Sequence, residues 1–410
     1  RTLTIRRTDP PATQPAVARA DTQPSEARAA DAERSQDVAG RIAETTSERT
    51  GITHGLHSVR LGGPWLAWVP KGTRLEVIAR QGRNYQVRLS ASMTGWVDRD
   101  DVRLLPEGTP VPHNYFTACE VSGDDRYDTL SLSMSAPVAV SVQSEVAPNR
   151  LYIDFYNTHD AATWISHKTG ARVIGPVRVD QIETDRVRVT VPINTRQIWG
   201  YWTEIADGRF KLYVRRPPTI ASPPDSPLKG LTVAVEAGHG GSSNHGARGL
   251  FGTKEKDVNL AGALALEREL KARGARVVQV RRGDESVSLS ERVERANAAN
   301  ADLFVAIHAN SAGSSRGYLS VSGTSTYYHD IHCQPIARLV YERLLGLGWR
   351  EFGVVGSFSY TPLRNTRIPS ILVEQAFMSH PGDEARLTDP AYQREQAVAM
   401  LSRATALAGI

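Results

Sequence analysis

The chain has 410 residues, a net charge of +5 at pH 7 and 40% hydrophobic residues. That length predicts about three domains, and the mildly basic balance favours anionic partners. No run of lysine and arginine interleaved with aromatic residues occurs, so nucleic acid is not expected as a partner. No apolar stretch approaches the roughly 20 residues of a membrane-spanning helix.

The two cysteines, Cys119 and Cys333, fall in different predicted domains. Their number neither requires nor excludes a disulfide between them, and no Cys-x-x-Cys motif indicates a metal or redox site. Cysteine usage therefore leaves the compartment open. The chain starts at Arg1 rather than at methionine, from which we expect that a signal segment has been removed.

Residues 1–55 are rich in Ala, Arg, Thr, Asp, Ser and Pro and contain almost no large apolar side chains. Such a segment buries too little surface to offset the entropy lost on ordering. The sequence predicts a disordered linker or tail here, with no assigned function.

Residues 56–107 change to short strand patterns separated by turn signals, which predict a small β-barrel. The motifs Lys-Gly-Thr from Lys71, Gly-Arg-Asn-Tyr-Gln-Val from Gly82 and Thr-Gly-Trp-Val-Asp from Thr94 resemble a bacterial SH3-like domain. That resemblance implies binding to the cell wall or to another protein. An unspecified small β-barrel remains the alternative.

Residues 113–216 contain several runs in which apolar and polar residues alternate, as in residues 129–133 and 186–191. Alternation at period two predicts an antiparallel β-sandwich with one face buried and one exposed. The run Asn-Arg-Leu-Tyr-Ile-Asp-Phe-Tyr-Asn from Asn149 resembles the AMIN domain, a module that localises cell-wall amidases.

Four aromatic residues of this segment allow two interpretations. They form either part of the sandwich core, which is the usual place for aromatic residues, or a face that stacks on sugar rings. The four residues are Trp164, Trp199, Tyr201 and Trp202.

Five prolines in residues 217–229 predict a stiff, extended linker. From residue 230 to residue 410 strand patterns alternate with helical patterns. This alternation predicts an α/β domain with a mostly parallel sheet flanked by helices.

Two histidines of this last segment follow apolar runs typical of buried strands. His239 comes after Thr-Val-Ala-Val-Glu-Ala-Gly, His308 comes after Leu-Phe-Val-Ala-Ile, and Glu374 closes Ile-Leu-Val. The functional crevice of an open α/β sheet lies beyond the carboxyl ends of its strands, so these side chains are expected to meet. Glu255, in the first turn of a predicted helix, faces the same edge.

Two imidazoles and a carboxylate form a zinc ligand set with a fourth position for water. A second carboxylate beside that water supplies acid–base chemistry, so the sequence predicts a zinc hydrolase. The turn Gly-His-Gly-Gly at 238–241 is not a phosphate-binding loop, because Gly-Lys-Ser/Thr is missing. His245, His329 and His332 are expected at the surface, and His245 is also considered as an alternative ligand.

Residues from about 231 to 404 resemble the zinc-dependent N-acetylmuramoyl-L-alanine amidases of the amidase-3 type. The matching motifs occur in order and begin at Gly238 (Gly-His-Gly-Gly), Glu255 (Glu-Lys-Asp-Val-Asn-Leu), Ser288 (Ser-Leu-Ser-Glu-Arg-Val), Ala301 (Ala-Asp-Leu-Phe-Val-Ala-Ile-His-Ala-Asn) and Pro369 (Pro-Ser-Ile-Leu-Val-Glu-Gln). The resemblance implies that His239, Glu255 and His308 bind one zinc ion and that Glu374 is the catalytic glutamate.

The resemblance also implies the substrate and the location. The substrate would be peptidoglycan, cut at the amide between N-acetylmuramic acid and the L-alanine of the stem peptide. The protein would act in the cell envelope, as a periplasmic or secreted protein. The β domains would contact the wall and envelope or septal proteins. A monomer is expected, since no coiled coil is evident.

One departure from the family pattern concerns the residues before the first histidine. The family commonly has Asp-Pro there, whereas this chain has Glu236-Ala237. Glu236 is considered as support for a ligand, and Asn310 and Arg364 either contact substrate or hold their loops. The compact stretch between His308 and Glu374 predicts an open site without a covering helix.

Two further readings stay open. The chain is a wall-binding protein without activity that recruits or activates another hydrolase, for which the Glu236-Ala237 change is the only support. Alternatively, it is a zinc hydrolase that cuts a different amide of the wall.

Overall fold

The computed structural model describes residues 38–56, 65–221, 224–312 and 318–402. Within them the chain forms a large β-rich region followed by an α/β domain. The β-rich region consists of two units, residues 38–104 and residues 114–215, each with a main hydrophobic core, and Ala139 and Tyr156 of the second unit pack into the core of the first. One residue pair, Val140 with Trp68, joins the two units into a continuous 11-stranded sheet.

Outside residues 57–64, which are not described, the first β unit is formed by seven strands: β1 (Ile42–Thr45), β2 (Arg49–Thr53), β3 (Trp65–Pro70), β4 (Arg74–Gln81), β5 (Asn84–Arg88), β6 (Thr94–Asp98) and β7 (Val102–Leu104). They pair in the order β3-β2-β6-β5-β4-β1-β7. Buried and partly exposed positions alternate along β4 and β5, so Val77 and Val87 point into the core.

The predicted boundary of the N-terminal tail was wrong, because β1 and β2 lie inside residues 1–55. Ile42, Ala43 and Ile52 are buried, and β1 pairs with both β4 and β7. Each of these strands contributes only one or two apolar side chains to a core that other strands largely supply. The composition of the whole segment therefore did not reveal these two strands. The part of the prediction that concerns residues 1–37 lies outside the described residues.

Nine strands form the second β unit: β8 (Asn114–Gly123), β9 (Tyr127–Ser133), β10 (Val140–Glu145), β11 (Arg150–Tyr156), β12 (Thr158–His167), β13 (Arg178–Glu183), β14 (Arg186–Pro192), β15 (Tyr201–Ala206) and β16 (Arg209–Arg215). The sheet β13-β14-β11-β10 faces the sheet β12-β8-β9-β16-β15. Leu151, Val189 and Phe210 belong to the core between them. One pair departs from the predicted antiparallel pattern, since β12 runs parallel to β8.

In its described residues the α/β domain contains six strands and five α-helices: β17 (Thr232–Ala237), α1 (Glu255–Ala272), β18 (Arg276–Gln279), α2 (Leu289–Ala298), β19 (Leu303–Asn310), β20 (Thr324–Tyr327), α3 (Gln334–Leu345), β21 (Glu351–Val355), β22 (Ser370–Phe377), α4 (Pro381–Leu387) and α5 (Pro390–Leu401). The sheet order is β18-β17-β19-β22-β20-β21. The first four of these strands are parallel, and β20 is antiparallel to β22. Helices α1, α3 and α5 cover one face of the sheet, and α2 covers the other.

The second β unit packs against the amino-terminal edge of this sheet. Arg215 pairs with Asp302, the residue before β19, at 2.6 Å, and the N–H of Tyr201 donates to the carbonyl oxygen of Thr366 at 2.8 Å. Trp199 is buried within the hydrophobic cluster of the α/β domain. The contact therefore lies opposite the strand ends that carry the predicted site.

The four aromatic residues of the second β unit do not form one face. Trp199 and Tyr201 are buried at the contact with the α/β domain, whereas Trp164 is 68% exposed. The surface position expected for His332 was wrong, because the residue is buried and its Nδ1 lies 3.1 Å from Oγ of Ser144. The segment that contains His332 packs against the second β unit, and no local sequence pattern indicates this contact.

Two described residues of the proline-rich segment 217–229 are hydrogen-bonded to each other, which a fully extended linker would not allow. The N–H of Ala221 donates to the carbonyl oxygen of Lys229 at 2.9 Å, and Leu228 packs into the α/β core. Cys119 and Cys333 are both buried and free. No helix within the described ranges is long and apolar enough to cross a membrane.

Candidate metal centre and active site

Three side chains predicted as metal ligands meet at the carboxyl-terminal edge of the sheet. Nε2 of His239 lies 3.1 Å from Oε1 of Glu255, and Nδ1 of His308 lies 3.2 Å from the same oxygen. One donor atom from each residue lies within 4.8 Å of the others. Glu255 and His308 are buried, while 26% of the His239 side chain is exposed. The cluster therefore reaches solvent beside His239.

The glycine-rich turn after β17 places His239. This histidine has a φ of 63°, in the left-handed region that side chains other than glycine seldom adopt, and Gly240 follows with a φ of 125°. A Cβ on Gly238 would overlap the ring of His308. Glycine at 238 therefore lets the turn approach the second histidine closely, and the strained backbone at 239 is typical of a functional site.

Glu255 is the first residue of α1, and its carboxylate is held from several sides. Oε2 accepts the N–H of Ala247 at 2.8 Å, and Oε1 accepts the side-chain amide of Asn259 at 3.0 Å. Burial by itself raises the pKa of this carboxyl group, but hydrogen bonds from His239 and His308 hold the pKa of Glu255 well below its usual range. The carboxylate is thus kept in the anionic form that a cation binds.

Each imidazole faces an oxygen atom on the side away from Glu255. Nδ1 of His239 lies 2.7 Å from Oδ1 of Asn244, and Nε2 of His308 lies 3.5 Å from Oε2 of Glu236. With a cation bound in place of the hydrogen bonds to Glu255, an N–H on the outer nitrogen of each ring would face these oxygens and leave the inner nitrogen free to bind the cation. Glu236 is fully buried behind His308.

Two arginines that the sequence did not single out hold the histidine turn. Arg281 donates to the carbonyl oxygens of Ala237 and Gly238 at 2.8 and 2.9 Å. Arg292 donates to the carbonyl oxygen of His239 at 2.9 Å and forms an ion pair with Glu236. Both guanidinium groups are buried, and they satisfy carbonyl groups that a sharp turn leaves without partners. The Ser-Leu-Ser-Glu-Arg motif contained Arg292, but nothing in it indicated this contact.

Glu374 lies directly opposite His308 in the parallel pairing of β19 with β22 and is half-buried. The ring of Tyr360 packs edge-on against His308, with centroids 5.6 Å apart. Burial raises the pKa of Tyr360 to about 12, against the opposing effect of the Arg292 charge. Tyr360 therefore keeps its proton at neutral pH and lies at the site as a potential hydrogen-bond donor.

For Asn310 and Arg364 the sequence left two roles open, contact with substrate or support of a loop. The two side chains differ in their surroundings. The side-chain amide of Asn310 donates to the Tyr327 hydroxyl at 3.3 Å and accepts the N–H of Ser311 at 2.8 Å. Both of its ends are thus used within the fold. Arg364 donates to the Thr361 hydroxyl at 3.0 Å, and its guanidinium group lies 5.8 Å from the ring centroid of Trp65.

The three donors fit a zinc ion. Bonds of about 2.0–2.2 Å in tetrahedral geometry separate neighbouring ligand atoms by roughly 3.3 Å, close to the 3.1 and 3.2 Å between Glu255 and the two imidazoles. Two nitrogens and one carboxylate oxygen, each ring oriented from behind, are the donor set of a catalytic zinc site with one open position. His245 is not part of the cluster within the described residues.

Comparison with known proteins assigns the α/β domain to a family. The family Amidase_3, described as N-acetylmuramoyl-L-alanine amidase, matches residues 233–404. The protein YqiI of Bacillus subtilis, described as uncharacterized, is 37% identical over 182 residues, which make up 43% of this chain and 84% of that protein. The chain belongs to the N-acetylmuramoyl-L-alanine amidase family. The matched residues contain all four predicted zinc and catalytic residues.

Two further proteins similar to this chain are named as amidases. The N-acetylmuramoyl-L-alanine amidase LytC of Bacillus subtilis is 35% identical over 186 residues, which cover 44% of this chain but 36% of LytC. Among solved structures, the amidase AmiC2 of Nostoc punctiforme is 34% identical and has a TM-score of 0.41, covering 44% of this chain and 98% of that chain. The likeness thus spans less than half of this chain.

Proposed function

We propose that this chain is a zinc-dependent peptidoglycan hydrolase that cleaves the amide between N-acetylmuramic acid and the L-alanine of the stem peptide. The observation that carries this proposal is the convergence of His239, Glu255 and His308 on one point, with Glu374 on the adjacent strand. Membership in the amidase family supplies the reaction class. The amidase LytC and the probable cell wall amidase LytH of Staphylococcus aureus support an extracytoplasmic role.

In this mechanism His239, Glu255 and His308 would hold the zinc ion, which when bound would supply Lewis-acid chemistry and lower the pKa of water to about 7. Glu374 accepts a proton from the attacking water and returns it to the departing L-alanine nitrogen. Glu236 and Asn244, which face the outer nitrogens of the two imidazoles, would help to orient these rings for metal binding. The strained turn at 238–241 and its two buried arginines keep His239 in place.

The β-rich region would position this site on the wall. The SH3-like and AMIN-like resemblances support a localising role, in a periplasmic or secreted protein. The second β unit packs at the amino-terminal edge of the sheet, so it holds the α/β domain without occupying the strand ends that carry the predicted ligands. Peptidoglycan is the expected partner, and contacts with envelope or septal proteins are a further proposal.

Two other functions make different predictions. A recruiting protein without activity would bind sacculi and release nothing, and the Glu236-Ala237 departure favoured it. The ion pair of Glu236 with Arg292 and its position behind His308 weaken that reading, because the longer carboxylate still reaches the imidazole. A hydrolase for another amide would release fragments that lack an intact stem.

Zinc dependence is tested by preparing the protein with zinc, after chelation, and after zinc is added back. We expect about one zinc ion per chain in the loaded protein, release of peptide from purified sacculi by that form only, and recovery on adding zinc back. Magnesium added back to the chelated protein is the control. Full turnover by the chelated protein would contradict the zinc mechanism.

A further inference from the structure

Arginine and aromatic side chains from all three parts of the chain form one continuous surface. We call it the arginine–tryptophan surface, and its members are Trp65, Trp68, Arg49, Arg364, Arg367 and Trp202. Trp65 and Trp68 are stacked with centroids 4.7 Å apart, and the guanidinium group of Arg49 lies 4.3 Å from the Trp68 ring.

The surface continues across the contact between domains. Arg364 of the α/β domain lies 5.8 Å from the centroid of Trp65, and Arg367 lies 4.7 Å from the centroid of Trp202 in the second β unit. Partial desolvation of Arg49 and the nearby charge of Arg367 lower the pKa of Arg49. The two guanidinium groups are thus close enough to repel each other.

The backbone of the first β unit exposes both tryptophans. The pairing of β2 with β3 slips by one residue between Ile52 and Thr53, and such a bulge changes the direction of the side chains that follow it. Trp65 and Trp68 are consequently 36% and 38% exposed. A Cβ on Gly51 would overlap the Trp65 ring, so this ring packs between Gly51 and the stacked ring of Trp68, and part of it is exposed to solvent.

The arginines of this surface lack acidic partners among the described residues. No carboxylate oxygen within those ranges lies within the 4.0 Å of an ion pair from Arg49, Arg364 or Arg367. By contrast, Arg215 and Arg216 in the same β unit as Trp202 pair with aspartates at 2.6 and 2.9 Å. Three arginines gathered without counter-charge raise the local positive potential and attract an anionic ligand.

The surface is connected to the candidate active site by one short helix. Tyr360, whose ring packs on His308, precedes the 3-10 helix Thr361–Arg364. The N–H of Arg364 donates to the carbonyl oxygen of Tyr360 at 3.3 Å. A polymer bound along the arginine–tryptophan surface therefore passes within one helical turn of a residue that touches a predicted ligand.

We propose that the arginine–tryptophan surface binds the uncut part of the peptidoglycan substrate. Sugar rings of the glycan strand pack against the exposed parts of the stacked Trp65–Trp68 pair, and stem-peptide carboxylates pair with Arg49, Arg364 and Arg367. Flat aromatic faces bury apolar ring surface, and guanidinium groups recognise carboxylates with two parallel hydrogen bonds. The identity of the polymer rests on the proposed function, whereas the binding surface itself is tested separately.

The first experiment measures binding of the full chain to purified sacculi with the Glu374→Gln background, so that no substrate is consumed. Trp65→Ala with Trp68→Ala is expected to weaken binding about tenfold or more. The matched control is Trp164→Ala, an exposed tryptophan of β12 outside the surface. Arg49→Gln leaves the aromatic pair intact and keeps the test valid if the double variant unfolds. Its binding to sacculi is expected to be weaker and to depend less on the salt concentration.

The second experiment uses the active chain and compares turnover of sacculi with turnover of a short muramoyl peptide. We expect the ratio of the two rates to fall in the Trp65 and Arg49 variants and to stay constant in the Trp164 control. Binding equal to that of the control, or an unchanged ratio, overturns the proposal. Binding that disappears when phosphate-linked polymers are stripped from the sacculi also overturns it, because the ligand is then a phosphate polymer. If the variants bind sacculi more weakly than the control but the active chain turns over neither substrate, the result would instead count against the proposed activity.

Discussion

The two edges of the α/β sheet both bury titratable groups but use them differently. At the carboxyl-terminal edge, donor atoms of His239, Glu255 and His308 point at one another. At the amino-terminal edge, His332 and Asp330 lie beside the second β unit without forming such a cluster among the described residues. Convergence of donor atoms, rather than burial alone, distinguishes a metal centre from a domain contact.

The pKa values at the amino-terminal edge follow from burial. Burial, with a smaller effect from His329, lowers the pKa of His332 to about 4. Burial also raises the pKa of Asp330 to about 7. Both groups are thus driven to their neutral forms. Substitutions at this edge should change stability and its pH dependence, whereas those at the other edge should change metal binding and turnover.

The largest effect is expected from removing a ligand at the carboxyl-terminal edge. His308→Ala leaves two donors, so we expect zinc content to fall far below one ion per chain and sacculus turnover to fall to background. Metal analysis of the purified variant measures this directly. His159→Ala, a histidine of β12 outside the cluster, is the control, and zinc content equal to that of the parent in His308→Ala would rule out the ligand set.

Glu374→Gln should separate chemistry from metal binding. The amide cannot accept the proton of the attacking water, so we expect turnover to fall about 10²- to 10⁴-fold with zinc content unchanged. Glu395→Gln, an exposed glutamate of α5, is the matched control. Near-parental turnover in Glu374→Gln would show that another group carries the proton.

A smaller effect is expected from the carboxylate behind His308. Glu236→Gln removes the negative charge that faces Nε2 of His308 and Arg292, and we expect zinc affinity to fall about 10- to 100-fold. Competition with a chelator of known affinity measures the change. Glu236→Asp restores the residue common in the family and is expected to bind zinc more tightly than Glu236→Gln; identical affinity in both variants would remove Glu236 from the site.

The smallest effect is expected at the opposite edge. The folded-state pKa of Asp330 is above the usual value for an aspartate, so this group favours folding at low pH, and that contribution is lost as pH rises from about 4 through about 7. Asp330→Asn should therefore raise the melting temperature at pH 8, with the difference shrinking toward pH 4. Asp125→Asn, at an exposed position, is the control, and a pH-independent difference for Asp330→Asn would contradict the burial argument.

Much of the catalytic domain could be predicted because its signals are local. Apolar runs ending in His239, His308 and Glu374 identify strand ends, and strand ends of a parallel sheet meet at one edge. The helix cap at Ser288 is likewise local, and its hydroxyl accepts the N–H of Glu291 at 3.2 Å. These features depend on residues close in sequence, so a single chain contains them.

The features that sequence reasoning missed depend on distant contacts. β1 and β2 contain too few apolar residues to stand out, but their partners supply the rest of the core. Arg281 and Arg292 resemble surface arginines until the turn they hold is folded. The arginine–tryptophan surface joins residues from three parts of the chain through a strand bulge and a domain contact, neither of which has a signature in the sequence.

The most direct test of the proposed activity is the mass of the fragments released from purified sacculi by the zinc-loaded full chain. Cleavage of the proposed amide predicts intact stem peptides that begin with L-alanine, together with glycan strands that carry no peptide. Peptides cut within the stem would assign the zinc centre to another amide. No release from sacculi to which the zinc-loaded protein binds would contradict the amidase account.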